Sequence, residues 1–177
     1  MPKRSGILTG TAGVYYVASQ LAARDFHAAV TYGNAPSVDI LVGRIDGSTS
    51  LSLQVKTSHW ALRTRGRGGN KTPHHYEWDV GQRSATQDRP DLFFAFVELK
   101  TGSGQLPDVF IIPSKSVYDW FQGVITKYFG GDPSKLKRWR FHPGVKSIDQ
   151  YRNNWDILWD YLDRKSNRRD SEPPPRR

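Results

Sequence analysis

The 177-residue chain contains no cysteine, which excludes a disulfide framework and any thiolate metal centre. No apolar run approaches the roughly 20 residues that cross a bilayer, so a helical membrane anchor is not expected. The basic opening Met1-Pro2-Lys3-Arg4-Ser5-Gly6 leads into no apolar segment, and a secretory signal is not expected either. Glycine-rich stretches occur, yet none has the spacing of a phosphate-cradling loop, which disfavours nucleotide binding. Internal repeats are absent. Acids are scarce beside bases: 17 Asp and Glu stand against 26 Lys and Arg, a formal net charge of +9. An excess of that size implies an anionic partner, most simply nucleic acid, and a cytoplasmic location is expected.

What remains is enough for one globular domain, with 37% hydrophobic and 12% aromatic residues. We place that domain at residues 1–164. From Arg164 the chain reads R-K-S-N-R-R-D-S-E-P-P-P-R-R, and 165–177 is expected to be a disordered tail adding nonspecific electrostatic affinity.

The stretch Ser37–Ser58 is the most informative. Two alternating apolar and polar runs flank Asp46-Gly47, a dipeptide suited to a two-residue hairpin turn. A turn there sets Val38 opposite Val55, Ile40 opposite Leu53 and Val42 opposite Leu51, an apolar face that belongs in a core. The other face pairs Ser37 with Lys56, Asp39 with Gln54, and Leu41 with Ser52. Directly opposed residues have Cβ atoms about 4.5–5.5 Å apart, so an acid, an amide and an ammonium converge. Sheet building alone does not require that combination.

Around this hairpin, Thr11 is expected to cap a first helix running to Arg24, with Val14, Val17, Ala18, Leu21 and Ala22 at helical spacing and Tyr15 and Tyr16 flanking them. His27–Tyr32 reads as a short strand broken by Gly33-Asn34-Ala35-Pro36. Asp91–Leu99 reads as a buried strand and Asp108–Ile112 as its return. A helix from Ser114 to about Phe129 buries Val117, Trp120, Phe121, Val124 and Tyr128. A last helix is expected over Ile148–Leu162. Two adjacent histidines, His74 and His75, make a poor zinc pair without a third well-spaced ligand.

Asp39, fourteen further residues and then Gln54-Val55-Lys56 resemble the PD-(D/E)xK phosphodiesterase superfamily, in the variant with Gln at the second acidic position. The likeness extends to small bacterial members with the helix Y-x-V-A-x-x-L-x-x-R at Tyr15–Arg24, N-x-P-x-x-D-I-L-V at Asn34–Val42 and Q-V-K-T-S at Gln54–Ser58. The resemblance implies an α+β (α/β) restriction-endonuclease-like fold, with an αβββαβ core and a mixed central sheet flanked by helices. It also implies a DNA-cleaving enzyme dependent on Mg²⁺ or Mn²⁺, with Asp39, Gln54 and Lys56 catalytic and Asp39, Gln54 and the Val55 carbonyl as metal ligands. Such relatives usually carry a helix-one Glu, as in G-E-Y-x-V-A-A-E-L; Val14 and Gln20 occupy the matching positions here. Glu77, Asp79 or Glu98 could replace it, the substrate phosphate could complete the metal shell, or binding could survive without cleavage. One such site cuts one strand, so cutting both needs a homodimer or two binding events.

Two basic segments complete the reading. Arg63, Arg65, Arg67 and Lys71, interleaved with glycines, are expected to form a mobile loop; it is read either as a flap on the nucleic-acid backbone or as a solvated surface loop. Lys135, Lys137, Arg138 and Arg140 surround Trp139, either for backbone contact with base stacking or as surface with Trp139 packed inward.

Overall fold

The computed structural model describes residues 5–31 and 38–171, the last four by backbone alone. The expected chain break at 33–36, the end of the first strand at Tyr32, the Ser37–Lys56 pair and 172–177 of the tail lie outside the described residues.

The hairpin forms in the expected register. β2 (Ile40–Gly43) and β3 (Ser50–Ser58) run antiparallel, with Ile40 opposite Leu53 and Val42 opposite Leu51. The connection is longer than the two residues the sequence suggests. Gly47 donates its N–H to the Arg44 carbonyl at 3.0 Å, and Asp46 Oδ1 accepts the Ser48 N–H at 2.9 Å, so the carboxylate closes a wider turn. Because both strands lengthen the loop symmetrically, the pairing is unchanged.

β3 then runs on past β2. It pairs in parallel with β7 (Leu92–Glu98), from Ser52 opposite Leu92 to Ser58 opposite Glu98. With β1 (His27–Val30) and β8 (Asp108–Pro113) outside them, the strands form a mixed sheet in the order β1-β2-β3-β7-β8. All seven β7 residues are buried, as expected for a continuous apolar run at a sheet centre. The fold class is therefore the expected mixed α+β sheet with flanking helices.

Each face of the sheet carries its own core. Leu51, Leu53, Val55, Phe93, Ala95 and Val97 meet α1 (Gly6–Ala22) and α5 (Asp156–Ser171), which contribute Val17, Leu21, Leu158 and Leu162, together with Trp155 just before α5. The opposite face packs Phe94, Phe96, Phe110 and Ile112 against Val117, Phe121 and Ile125 of α3 (Ser114–Phe129). α3 has the expected bounds and ends at Gly130, whose φ of +63° suits glycine. Its stripe is narrower than expected, because Tyr128 is exposed. Ser114 does not cap the helix; its hydroxyl donates to the Arg89 carbonyl at 2.6 Å.

Three further expectations are corrected. α1 begins at Gly6, five residues before Thr11, whose hydroxyl donates back to the Ile7 carbonyl at 3.0 Å inside the helix. Residues 59–71 are not an open loop. They enter a two-stranded ribbon, β4 (Leu62–Arg65) antiparallel to β5 (Thr72–Tyr76). The last helix does not start at Ile148. A helical turn α4 (Val145–Ile148) and a 3-10 turn (Asp149–Tyr151) precede Asn153, where φ is +50°. Asn153 exchanges bonds with the edge strand β8, its N–H donating to the Val109 carbonyl at 2.6 Å and its Oδ1 accepting from the Val109 N–H at 3.1 Å. The segment thereby shields a sheet edge, and α5 starts only afterwards. α5 also continues past Arg164 to Ser171. The remaining short pieces are β6 (Trp78–Asp79) paired with β9 (Arg140–Phe141), and α2 (Gln82–Ala85). Among the described residues, no helix is long and apolar enough to cross a membrane.

α1 lies close over β3 at Gly13: a Cβ there would stand 1.9 Å from Thr57 Oγ1, whereas one at Gly10 would meet nothing within 4 Å. Gly13→Ala should therefore destabilise by about 1–3 kcal/mol through overpacking. Gly10→Ala, in the same helix, should stabilise by about 0.5–1 kcal/mol. Thermal melts of the two variants should move in opposite directions.

Candidate active site

Asp39 sits where β2 peels away from β3. Its N–H donates to the Leu53 carbonyl at 2.8 Å and its carbonyl accepts the Thr31 N–H at 3.0 Å, so its backbone is held from both sides. One step along, the ladder has no strand left to supply an acceptor for Val55. The Asp39 side chain takes that place, Oδ2 accepting the Val55 N–H at 2.7 Å. The carboxylate is thus docked on the peptide joining Gln54 to Val55.

Strand alternation places the other groups. Ser52 donates its N–H to the Asp91 carbonyl at 2.8 Å, so even-numbered β3 residues turn their backbone toward β7 and odd-numbered ones toward β2. The Val55 carbonyl therefore faces the same edge as Asp39. Gln54 and Lys56 share the sheet face of Phe94 and Phe96. Gln54 is only 7% exposed, and its Oε1 is buried without a hydrogen-bond partner. An unsatisfied buried acceptor costs about 1–3 kcal/mol unless a water, an ion or a ligand meets it; Thr49 Oγ1 and Thr57 Oγ1 are in the same position. Lys56 is half-buried; burial pushes its ammonium below the ordinary value of 10.5, and the Asp39 charge opposes that shift.

A cleft of about 340 Å³ opens beside this edge, lined by Gly10, Thr11, Val14 and Tyr15 of α1, by Val30 and Thr31, and by Asp39 and Val55. The sequence pattern did not single out Thr11, Tyr15 or Thr31 for this cleft. The one available signal was the position of Tyr15 beside the apolar helix stripe. Among the described residues Asp39 is the only acid in the lining. Val14 brings an apolar side chain to it, and the Gln20 amide oxygen is engaged by Arg24 at 2.9 Å.

None of the three replacement acids is shown reaching Asp39. Glu77 accepts from Arg140 at 3.1 Å and faces Arg63 at 3.4 Å, and Asp79 accepts from Arg140 Nε at 3.0 Å. Glu98 is buried and receives the N–H groups of Ala61 and Leu62 at 3.1 and 2.9 Å. Among the described residues no three His, Cys, Asp or Glu side chains could jointly hold a metal. The oxygen donors on this stretch are instead the Asp39 carboxylate, the Val55 carbonyl and the Gln54 amide; of these residues Asp39 and Val55 line the cleft, whereas Gln54 lies on the Phe94 face. An all-oxygen set of this kind fits a hard cation that keeps several waters, Mg²⁺ or Mn²⁺.

The cationic residues divide into two groups. Arg65, Arg67 and Lys71 stand exposed at the far end of the β4–β5 ribbon, and Lys137 and Arg138 are exposed before β9. Arg63 and Arg140 are tied to Glu77, and Lys135 lies 3.8 Å from Asp132. Trp139 is buried against Phe121, ring centroids 5.4 Å apart, so its ring packs inward.

Between the lowered folded value of Lys56 and the ordinary 10.5, the unfolded chain binds more protons than the folded one, so stability rises with pH across that window. Lys56→Met should consequently melt above wild type at neutral pH. That advantage should shrink as pH approaches 10.5, where the unfolded lysine also loses its charge. Melting curves at neutral and alkaline pH provide the check.

No protein-family model matches the sequence, and no curated protein matches it. Among solved structures the chain is similar to the bacterial homing endonuclease I-Ssp6803I, with a TM-score of 0.56 over 96% of this chain and 100% of that one. At 13% identity, what the two share is the fold.

Proposed function

We propose that the protein is a metal-dependent nuclease that hydrolyses phosphodiester bonds in DNA, working in the cytoplasm. The observation that carries this reading is the Asp39 carboxylate docked on the Val55 N–H, beside an orphaned buried Gln54 oxygen and a half-buried Lys56. The PD-(D/E)xK likeness of those residues and the fold shared with a homing endonuclease support it.

Asp39, Gln54 and the Val55 carbonyl would hold Mg²⁺ or Mn²⁺; when bound, such an ion neutralises phosphate oxygens and lowers the pKa of a bound water. The protein's own groups have separate tasks. The Val55 N–H fixes one Asp39 oxygen, which aims the other. Lys56 would bring an ammonium to the negative charge that develops on the phosphoryl oxygens, and its partial desolvation would strengthen that interaction. Burial also eases loss of its proton, so it can orient an attacking water. Arg63, Arg65, Arg67, Lys71, Lys135, Lys137, Arg138 and Arg140 form the DNA-facing cationic surface in this reading. A single Asp39–Lys56 site cuts one strand, and a homodimer would bring a second.

A second reading, a nuclease-fold protein that binds DNA or RNA without cutting it, is favoured by one observation. Among the described residues Asp39 is the only acid lining the cleft. Each absent carboxylate removes a short-range Coulomb attraction for the ion.

Supercoiled plasmid and single-stranded DNA incubated with Mg²⁺ or Mn²⁺ separate the two readings. Nicking or degradation that stops in EDTA supports the first. Salt-sensitive binding that persists in EDTA without any product supports the second. If the first holds, Lys56→Ala should lower the cleavage rate by about 10²–10³-fold while binding persists. Asp39→Asn should abolish metal-dependent cleavage. Gln54→Glu should lower the Mg²⁺ concentration needed for half-maximal rate, because it adds a charge to the ligand set.

A further inference from the structure

The β4–β5 ribbon stands apart from the main sheet. Every residue from Arg63 to His74 is exposed, and this stretch contains four Arg or Lys and no acid. Its base, by contrast, is held firmly. The buried Glu98 carboxylate takes the Ala61 and Leu62 N–H groups, the Tyr76 N–H donates to the Pro143 carbonyl at 3.0 Å, and Tyr76 is buried. The far end is a built turn. Asn70 donates its N–H to the Arg67 carbonyl at 3.2 Å, and Gly66 has φ of +126° with no room for a Cβ, which would stand 2.3 Å from the Asn70 carbonyl oxygen. Glycines keep this end narrow.

A rigidly rooted, slender and purely cationic two-stranded ribbon matches one nucleic-acid feature well. The B-form major groove, about 12 Å wide and 8.5 Å deep, admits a two-stranded ribbon. Four residues of strand at about 3.3 Å each give the ribbon the reach to enter it. The deep, narrow major groove of A-form RNA does not admit such an element. The ribbon's register shifts between Arg63 and Thr64, which separates the rooted Arg63 from Arg65 beyond it. Arg63 is engaged by Glu77 at the root, whereas Arg65 and Arg67, nearer the end, form no ion pair among the described residues. Arginine reads the O6 and N7 edge of guanine in that groove.

We infer that the β4–β5 ribbon is a major-groove reader that selects guanine-containing duplex DNA through Arg65 and Arg67, with Lys71 on the flanking phosphates. The inference rests on the proposal that DNA is the substrate, and it sets the substrate class as sequence-selected B-form duplex.

The test is selection of bound duplexes from a randomised DNA library by the full-length protein in EDTA, followed by affinity measurements on the enriched duplex. Guanine-containing sites should be enriched, and the enriched duplex should bind more tightly than its single strand or the duplex RNA of the same sequence. Replacing its guanines with 7-deazaguanine, which lacks N7, should weaken binding about tenfold. Arg65→Ala and Arg67→Ala should bind weakly and lose that sensitivity, with melts confirming that both fold. The inference is overturned if no sequence is enriched. It is also overturned if the two variants weaken all duplexes alike while lowering the salt slope by about one each, the mark of phosphate contact alone. Failure to bind any nucleic acid sinks the underlying DNA reading as well, whereas selective binding without cleavage leaves this inference standing and removes only the catalytic one.

Discussion

One hydrogen bond, from the Val55 N–H to the Asp39 carboxylate at 2.7 Å, ties the candidate site to the fold. It exists because two neighbouring strands have different lengths. β2 begins at Ile40, while β3 continues to Ser58 along β7. Beyond Leu53, β3 is therefore held on one side only, and its other edge presents backbone groups to the cleft under α1. A buried edge N–H needs an acceptor, and a carboxylate supplies a charge-assisted one worth about 1.5–3 kcal/mol. The same bond that completes the sheet fixes the orientation of the acid. In the proposed function, structural and chemical roles would coincide at this residue.

The parallel β3–β7 pairing has a second consequence. It places β3 at the centre of the sheet, buried on both faces, so its nominally polar face is covered by the aromatic core around Phe94, Phe96 and Phe110. Ser52 and Gln54 are buried there. Elsewhere in the same layer the polar groups are matched: Trp78 Nε1 donates to the Val97 carbonyl at 3.0 Å, and the buried Asp108 meets Lys100 and Arg152 at 2.9 and 2.8 Å. The Gln54 oxygen, like Thr49 Oγ1 and Thr57 Oγ1, has no such partner among the described residues.

How much of this could be read from the chain follows from how local the determinants are. The β2–β3 register was legible because a one-residue slip would turn Ile40, Val42, Leu51 and Leu53 outward, and α3 because its stripe and Gly130 stop lie within one element. The start of α1 was not, since Thr11 spends its hydroxyl inside the helix instead of at its end. The β4–β5 ribbon reads as an open loop in sequence because its strands are mostly Arg, Thr and His with glycines between, and what orders their root is Glu98, more than twenty residues downstream. The break before α5 depends likewise on Asn153 meeting β8, a contact between distant parts of the chain. In the candidate site, the pairing of Asp39 with the Gln54–Lys56 segment could be read from register. The absence of a second acid in the cleft required the fold, because any of three acids could have been carried there.

The choice of glutamine at position 54 has a physical logic of its own. At 7% exposure an ionised glutamate would lose most of its hydration, and only a bound cation or a close ammonium could compensate. With a single acid already at the edge, a second carboxylate would also repel it whenever no ion was present. An amide keeps an oxygen donor in the same place at the smaller cost of one unsatisfied acceptor, about 1–3 kcal/mol. The ion-free protein is thereby stabilised and affinity for a cation is given up. In the proposed nuclease, part of the missing charge would come with the substrate, whose phosphate oxygens are anionic. Metal binding and DNA binding would then be mutually dependent, since each brings the charge the other needs. A protein built this way would hold its ion weakly until DNA arrives, and its strongly cationic surface would serve to concentrate that DNA.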